Sequence, residues 1–158
     1  MKIKGPWNEA QIRTYLEDTV IPARVAVLLP SGAPLVLSLW FLPRDGAIWC
    51  ACNKKARVVE LLREDPRCGF EIASEIPPYR GVRGQGEAFL DAPEGPAVLA
   101  ALLARYRIAA GSRLGTMLTR EAANDNEVAI RIVPDWMTSW DFSARMADAI
   151  SPGIDPQP

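Results

Sequence analysis

Three apolar runs joined by short turns dominate the chain between residues 23 and 52. The runs read ARVAVLLP, LVLSLWFL and AIWCAC, and the turns between them read SGAP and PRDG. Apolar runs bounded by glycine and proline are typical of β-strands that follow one another through tight turns. Polar residues rarely alternate with the apolar ones, which favours strands buried on both faces. The pattern predicts an antiparallel meander that forms a barrel, filled inside and covered outside.

Helical patterns flank this meander on both sides. Asn8 and Gln11 match a capping box, so we expect a short helix over residues 8–18. Asn53 follows the third apolar run and has the residue type of a helix N-cap. The helix that it starts should end near Asp65, because the following residue is a proline.

Two further strands are expected after this helix, with the sequences CGFEIA and VRGQGEAFL. In the second of them Gly84 and Gly86 lie on one face and leave that face without side chains, whereas Arg83 points the other way. Bare positions in a strand mark either a bulge or a close approach by a ligand or another backbone. The sequence leaves both interpretations open, and the spacing of these glycines is not that of a dinucleotide-binding loop.

The last third of the chain returns from helix to strand. An amphipathic helix of about four turns is expected after Pro93, and it should pack on the barrel. Residues 111–126 are expected to be helical or irregular. Apolar residues then alternate over 128–132, Pro134 interrupts the pattern, and MTSWDFS reads as a last strand segment.

Composition sets the class of protein. With 158 residues, 49% of them hydrophobic and 23% charged, the chain is expected to form one domain over residues 1–150 and a disordered tail over residues 151–158. The net charge of −1 argues against an extended nucleic-acid interface or binding to an anionic membrane. Neither a membrane-spanning run nor a signal-peptide core is visible, so we expect a cytoplasmic protein.

The chain contains no histidine, and this limits its chemistry. Nucleophiles activated by histidine, histidine-ligated heme and the usual zinc enzymes are all excluded. The cysteines Cys50, Cys52 and Cys68 lack C-x-x-C spacing, and we interpret them as reduced, buried thiols rather than metal ligands. No metal site is expected, and any redox chemistry should belong to a bound cofactor.

A cluster of cations follows the third apolar run. Lys54, Lys55 and Arg57 fall in the expected first turn of the helix, where the helix dipole disfavours positive charge. Either these side chains are simply solvated, or they bind an oxyanion together with the free N–H groups of the helix start. The position directly after a core strand favours the second interpretation.

With these parts in order, the segment from Ile21 to Leu90 resembles the pyridoxamine 5′-phosphate oxidase-like family of flavin-binding split barrels. The resemblance rests on R-x-A-x-L in the first strand, P-L-V-L-S-L-W-F in the second and D-G-x-I-W in the third. A helix that ends in L-R-x-D-P-R and the later P-P-Y-R-G-V-R-x-x-G continue it, and IRIVPDWMTSWDFS resembles the closing strand of the family.

This resemblance implies a mainly β fold with flanking helices, a six-stranded antiparallel split β-barrel that is homodimeric and binds FMN at the two-fold interface. The phosphate would bind at the turn and helix after the third strand, at Lys54, Lys55, Arg57 and Val58. The flavin ring would lie along the second and third strands, near Leu37, Ser38, Leu39 and Ala51. Residues that could cover the ring from the partner subunit are Tyr79, Arg80, Arg83 and Trp140.

Two departures from the family pattern bear on function. The oxidase itself has a serine-arginine-lysine run before this helix, whereas here Arg57 matches the arginine and Val58 stands at the lysine position. The arginine-histidine substrate motif of the oxidase is absent as well. Oxidation of pyridoxamine phosphate is therefore not expected.

The sequence consequently favours an FMN-dependent oxidoreductase or flavin reductase that acts on a small-molecule substrate, possible electron donors being NADH and NADPH. No catalytic residue is assigned. One alternative keeps the fold and replaces FMN with a deazaflavin. Another is a non-catalytic barrel whose basic turn binds flavin or another phosphorylated ligand.

Overall fold

A computed structural model describes residues 1–149, and it contains eight strands and four helices in that range. The strands are β1 (Lys2–Lys4), β2 (Ala23–Leu28), β3 (Pro34–Leu39), β4 (Leu42–Arg44), β5 (Ala47–Asn53), β6 (Arg67–Ala73), β7 (Arg80–Asp91) and β8 (Glu127–Asp141). The helices are α1 (Glu9–Asp18), α2 (Arg57–Glu64), α3 (Gly95–Arg105) and α4 (Arg113–Ala123). The disordered tail expected over residues 151–158 lies outside the described residues.

All of these strands belong to one sheet, in the order β3, β2, β6, β7, β8, β5 and β4, with β1 added in parallel to β8. The other pairs are antiparallel, and the path is open because β3 and β4 are its two edges. The prediction of a mainly β, antiparallel fold with flanking helices is confirmed. Six strands correspond to the predicted ones, and β1 and β4 add two more of three residues each.

The main core fills the inner face of the curved sheet. Val25, Ile72, Val82 and Ile130 are fully buried there, and each such side chain contributes about 1.5–3 kcal/mol relative to exposure. The helices α1 and α2 close the core at its two ends with the apolar side chains Ile12, Leu16, Val58, Leu61 and Leu62.

Two hydrogen bonds show that these helices cover opposite ends of β7. The Tyr15 hydroxyl of α1 donates to the Arg80 carbonyl at the start of β7, at 3.2 Å. At the other end of the strand, the Ala88 N–H donates to the carbonyl of Pro66, which follows α2, at 2.8 Å. The predicted capping box at the start of α1 is confirmed, since Asn8 and Gln11 bond each other reciprocally.

A second apolar cluster lies on the outer face of β5, under α3. Trp49 of β5 and Ala129 of β8 pack there against Val98 and Leu102 of the helix. Because Ile48 and Cys50 point into the main core, β5 is buried on both faces, as the sequence predicts. The same prediction is wrong for β3, whose outer face is exposed to solvent; the Val36 side chain there is 63% accessible.

The start of α2 differs from the sequence prediction. Its N-cap is Ala56, and Asn53 lies three residues earlier, where its side-chain oxygen accepts a hydrogen bond from the Lys55 N–H at 3.0 Å. Asparagine caps such turns as readily as it caps helices, which is why the residue type alone is misleading. Lys54 and Lys55 therefore lie in a turn before the helix, and Arg57 is its first residue.

Pro134 does not end the last strand, because a bulge accommodates it. Gly86 of β7 pairs with Pro134 and Gln85 pairs with Trp136, so Asp135 is an extra residue without a partner in β7. A Cβ at Gly86 would overlap the Val133 carbonyl oxygen of β8. The glycine therefore serves the close approach of two backbones at a bulge, one of the two interpretations left open by the sequence.

Candidate functional site

The basic turn, residues 53–57, connects β5 to α2 and is tied to the chain that precedes β8. The Lys54 N–H donates to the Asn126 carbonyl at 2.7 Å, and the Lys54 ammonium lies 2.7 Å from the Asp125 carboxylate. The Asn53 amide lies 3.5 Å from the Glu121 carboxylate. The turn is thus held in place by main-chain and side-chain contacts from a distant segment.

The start of α2 offers free hydrogen-bond donors next to this turn. Ala56 provides no side-chain cap, and among the described residues no acceptor bonds the N–H groups of Arg57 or Val58. The Arg57 guanidinium lies 2.9 Å from Glu60, whereas Lys55 forms no ion pair within the described residues. Free N–H groups, the positive end of the helix dipole and an unpaired ammonium together suit a phosphate.

Three carboxylic acids lie close to the same turn, namely Asp125, Glu121 and Glu127. Glu127, at the start of β8, is 4% exposed, and burial together with the neighbouring Glu121 raises the pKa of its carboxyl above the usual range. Burial and Glu127 also raise the pKa of the Cys52 thiol. Both shifts have burial as their largest cause, because a charged group loses hydration when it is buried.

The other predicted residues at this end have their side chains in apolar surroundings. Val58 is 4% exposed and belongs to the main core, so its N–H alone is available to a ligand. Ala51 packs on the outer cluster under α3. The predicted phosphate residues are therefore adjacent in space, but Lys54, Lys55 and Arg57 can donate from charged side chains, whereas Val58 can donate only its backbone N–H.

In β3 the three predicted ring residues point in two directions. Leu37 and Leu39 lie opposite Val25 and Ala23 of β2 and pack against the main core. Ser38 faces outwards, directly opposite Arg24. Of the three side chains, Ser38 is the one on the exposed face.

The exposed face continues from β3 to a tryptophan in β8. Arg83 lies on this face, with its guanidinium carbon 5.4 Å from the centre of the Trp140 ring, a distance typical of cation–π contact. The Trp140 indole rests on Gly81, where a Cβ would come within 2.7 Å of the ring. Ser38, Arg83 and Trp140 are named here the outer-face group.

Tyr79 and Arg80 come shortly before Arg83 of the outer-face group in the chain but differ in orientation. Tyr79 is 44% exposed, and its carbonyl accepts a hydrogen bond from the Phe142 N–H at 3.0 Å. Arg80, three positions before Arg83, lies on the opposite side of β7 and lines clefts beside α1. The two arginines predicted as candidates to cover the ring therefore face different surroundings.

The basic turn and Trp140 of the outer-face group lie at opposite ends of β8. The turn pairs with the beginning of the 15-residue strand β8, and Trp140 is next to its last residue. A strand of this length follows a path of roughly 40 Å or more. Within one chain, the basic turn and Trp140 are therefore separated by the length of β8.

Some residues near these sites escape sequence reasoning. Glu127 continues an alternating strand pattern, and nothing in that pattern marks its burial. Arg105, Tyr106 and Arg107 end an amphipathic helix, where charged and aromatic residues are ordinary. Their common position beside α1 depends on the tertiary fold.

No protein-family model and no curated protein sequence matches the chain. Solved structures do match it. A conserved hypothetical protein, Rv2991 from Mycobacterium tuberculosis, is 24% identical with a TM-score of 0.76, covering 94% of this chain and 93% of that one. An F420 reductase is 19% identical with a TM-score of 0.62, and the match covers 84% of this chain and 97% of the reductase chain. A candidate pyridoxamine 5′-phosphate oxidase from Listeria innocua is 17% identical with a TM-score of 0.65, and the match covers 83% of this chain and 96% of the Listeria chain.

The chain has the pyridoxamine 5′-phosphate oxidase-like split-barrel fold, as the sequence resemblance implies. At these identities the comparison establishes the fold and leaves the ligand open, and a heme storage protein, HutZ from Vibrio cholerae, shares the fold too. Within residues 1–149 no helix has the length and apolar character to span a membrane. The same residues contain no cluster of three metal-ligating side chains.

Proposed function

We propose that the chain binds FMN through its phosphate at the start of α2 and acts as a homodimeric oxidoreductase or flavin reductase. The observation that carries the proposal is the uncapped helix start, where the free N–H groups of Arg57 and Val58 lie beside the unpaired Lys55. On a split-barrel fold whose relatives include an F420 reductase, this is a chemically suitable place for a phosphate.

The remaining cations of the turn can add to the site. Lys54 and Arg57 are paired with carboxylates, but both pairs are largely exposed to solvent and such pairs are weak. A phosphate dianion carries more charge than Asp125 or Glu60 and can replace either as the partner.

The flavin ring requires a second surface, and the outer-face group of a partner subunit can supply it. Trp140 offers a flat aromatic surface, and Arg83 offers positive charge where a reduced flavin carries negative charge. Bound flavin would supply the hydride or electron transfer. The chain itself would hold the phosphate, exclude water from the ring and orient a small-molecule substrate or NAD(P)H.

A deazaflavin is the second cofactor to consider, because an F420 reductase shares the fold. The longer acidic tail of F420 requires more cations than the basic turn provides. A non-catalytic flavin-binding barrel is the remaining alternative. Heme held by histidine is excluded because the chain has none. The three free cysteines suit a reducing compartment, and we propose the cytoplasm.

The decisive experiment compares FMN with riboflavin, which has the same ring and lacks the phosphate. Purified protein is incubated with each, desalted, and its visible absorption and retained flavin are measured. We expect about one FMN per chain and at least tenfold weaker binding of riboflavin. The double variant Lys55→Ala/Arg57→Ala should weaken FMN binding and leave riboflavin binding unchanged.

Arg63→Gln serves as the matched control, since Arg63 is an exposed arginine in the last turn of the same helix. Equal retention of FMN by the double variant would overturn the phosphate site. Retention of F420 without FMN would favour the deazaflavin alternative. If neither is retained, the proposal fails. Oxidation of NADH or NADPH by the FMN-loaded protein, measured as loss of the nicotinamide absorption, then distinguishes an oxidoreductase from a simple flavin-binding barrel.

A further inference from the structure

A cleft of about 660 Å³ opens between the C-terminal end of α1, the loop before β7 and the end of α3. We name it the α1–α3 cleft. Its volume is in the range of sites that hold small organic ligands. No residue of the basic turn lines it, so it is separate from the phosphate site proposed above.

Three arginines line this cleft: Arg80, Arg105 and Arg107. Asp18 and Glu75 are the carboxylates among the lining residues. The Glu75 carboxylate is already paired with Arg24, outside the cleft, at 2.5 Å. The local charge is therefore positive although the whole chain carries −1.

The three arginines do different things. The Arg105 guanidinium donates to the main-chain carbonyls of Leu16, Glu17 and Thr19 at 2.6–2.9 Å, so it is a fixed positive charge with three of its five donors occupied. Arg80 and Arg107 form no ion pair within the described residues, and their donors are available to a ligand.

Arg80 is held in place through its backbone. Its N–H donates to the Ser74 hydroxyl at 3.0 Å, and its carbonyl accepts hydrogen bonds from the Ser74 N–H at 2.9 Å and the Tyr15 hydroxyl at 3.2 Å. These bonds fix the point from which the Arg80 side chain leaves β7.

Arg107 has an unusual backbone for an arginine. Its φ is 54°, in the left-handed region just after α3, where glycine is favoured and asparagine or aspartate are the usual substitutes. A side chain of this kind costs about 1 kcal/mol there relative to glycine. Arg107 forms no ion pair within the described residues, so its guanidinium is available to a ligand and is not needed for the turn.

Part of the cleft wall is apolar. Val20 and Ile76 are 47% and 37% exposed, and Ile21 lies beside them. The rings of Tyr15 and Tyr106 complete the lining. The cleft thus combines exposed apolar side chains with arginines that form no ion pair within the described residues, and this combination matches a ligand with one charged end and an apolar body.

We propose that the α1–α3 cleft binds a small amphipathic anion, a carboxylate or phosphate ester with an aliphatic or aromatic body. Arg80 and Arg107 hold the charged group, and the body lies against Val20, Ile21 and Ile76. The fixed charge of Arg105 adds attraction without a direct bond. The site does not depend on a bound flavin.

The test uses 1-anilinonaphthalene-8-sulfonate, an aromatic anion that fluoresces when bound, and N-phenyl-1-naphthylamine, which has the same body without the charge. Both are titrated into flavin-free protein. Arg80→Gln and Arg107→Gly should each weaken binding of the sulfonate about tenfold and change binding of the amine less than twofold. Arg63→Gln, the control, should change neither.

Arg107→Gly also separates binding from folding, because glycine suits the left-handed backbone. Its urea-unfolding midpoint should equal or exceed that of the parent protein while its affinity for the sulfonate falls. Unchanged affinity in both cleft variants, or equal losses for the sulfonate and the amine, would overturn the proposal.

Competition then identifies the ligand class. Decanoate should displace the sulfonate at far lower concentration than inorganic phosphate does, because the apolar wall contributes to its binding. If inorganic phosphate competes equally well, the apolar wall takes no part and the proposed ligand class is wrong.

Discussion

The Lys54 ammonium lies 2.7 Å from the Asp125 carboxylate, and this ion pair connects the basic turn to the loop between α4 and β8. The Asp125 side chain is 79% exposed, so the pair contributes little to the free energy of unfolding. Its larger consequence is electrostatic, because the carboxylate neutralises one of three cations at the proposed phosphate site. Removing that negative charge should therefore strengthen anion binding.

We predict that Asp125→Asn tightens FMN binding about two- to fivefold, the range expected for one exposed charge. Asp125 has a φ of 56°, a left-handed conformation that asparagine adopts readily, so the backbone should be unchanged. Riboflavin, which has no phosphate, should bind both proteins equally. Titration of flavin fluorescence measures both affinities.

Asp45→Asn is the matched control for this variant. Asp45 is exposed, has a φ of 53° and lies in the turn between β4 and β5, so the same substitution is made on the same backbone conformation. Its FMN affinity should equal that of the parent protein. If Asp125→Asn binds FMN no more tightly than Asp45→Asn does, Lys54 takes no part in the phosphate site.

A second prediction concerns the pH dependence of stability and rests on Glu127. Burial and the nearby Glu121 raise the pKa of this carboxyl in the folded protein. The folded state therefore binds the proton more tightly than the unfolded state, and stability falls as the pH rises from about 4.5 through the raised pKa. Glu127→Gln should remove this fall and raise the free energy of unfolding at neutral pH.

Urea unfolding between pH 4 and pH 8 measures the effect. Glu64→Gln, at an exposed position of α2, is the control and should follow the parent protein at every pH. Cys52 is near Glu127, but burial raises the pKa of its thiol, so it stays neutral in this range. Parallel curves for Glu127→Gln and the parent protein would show that the buried carboxyl does not control stability.

Local chemistry explains why so much of the fold was predictable. The six long strands follow from apolar runs bounded by turn residues, and the start of α1 follows from its capping box. Asn53 shows the limit of such reasoning, because the same side chain can cap a turn or a helix. The exposure of the outer face of β3 was not predictable either, since no local sequence feature indicates that Val36 is uncovered.

The candidate site was only partly predictable, for a different reason. The cations fall together because they are neighbours in the sequence, but Asp125 meets Lys54 through a contact across more than 70 positions. The α1–α3 cleft likewise depends on tertiary folding, since Tyr15, Arg80 and Arg107 come from three distant segments. Contacts of this kind leave no periodic signal in a single sequence.

The third prediction tests the bulge between β7 and β8. Gly86→Ala places a Cβ against the Val133 carbonyl oxygen, a backbone atom that cannot move without breaking the pairing of the two strands. We expect a loss of about 3 kcal/mol or more in the free energy of unfolding. Gly111→Ala is the control, because nothing lies within 4 Å of its added Cβ, and it should change stability by less than about 0.5 kcal/mol. Equal stability of the two variants would contradict the close approach.

The fourth prediction concerns Arg105, whose guanidinium joins the end of α3 to the last carbonyls of α1. These carbonyls have no partner within α1 itself, so the arginine acts as a cap supplied by another helix. The guanidinium carbon also lies 5.1 Å from the centre of the Phe41 ring, within cation–π range. Arg105→Met keeps the aliphatic packing and removes the donors, and we expect it to lower the free energy of unfolding by about 2–3 kcal/mol. Arg113→Met, at an exposed position of α4, should change it by less than about 0.5 kcal/mol. Faster hydrogen exchange confined to α1 in Arg105→Met would identify the cap as the cause, whereas unchanged exchange there would assign the loss to α3 alone.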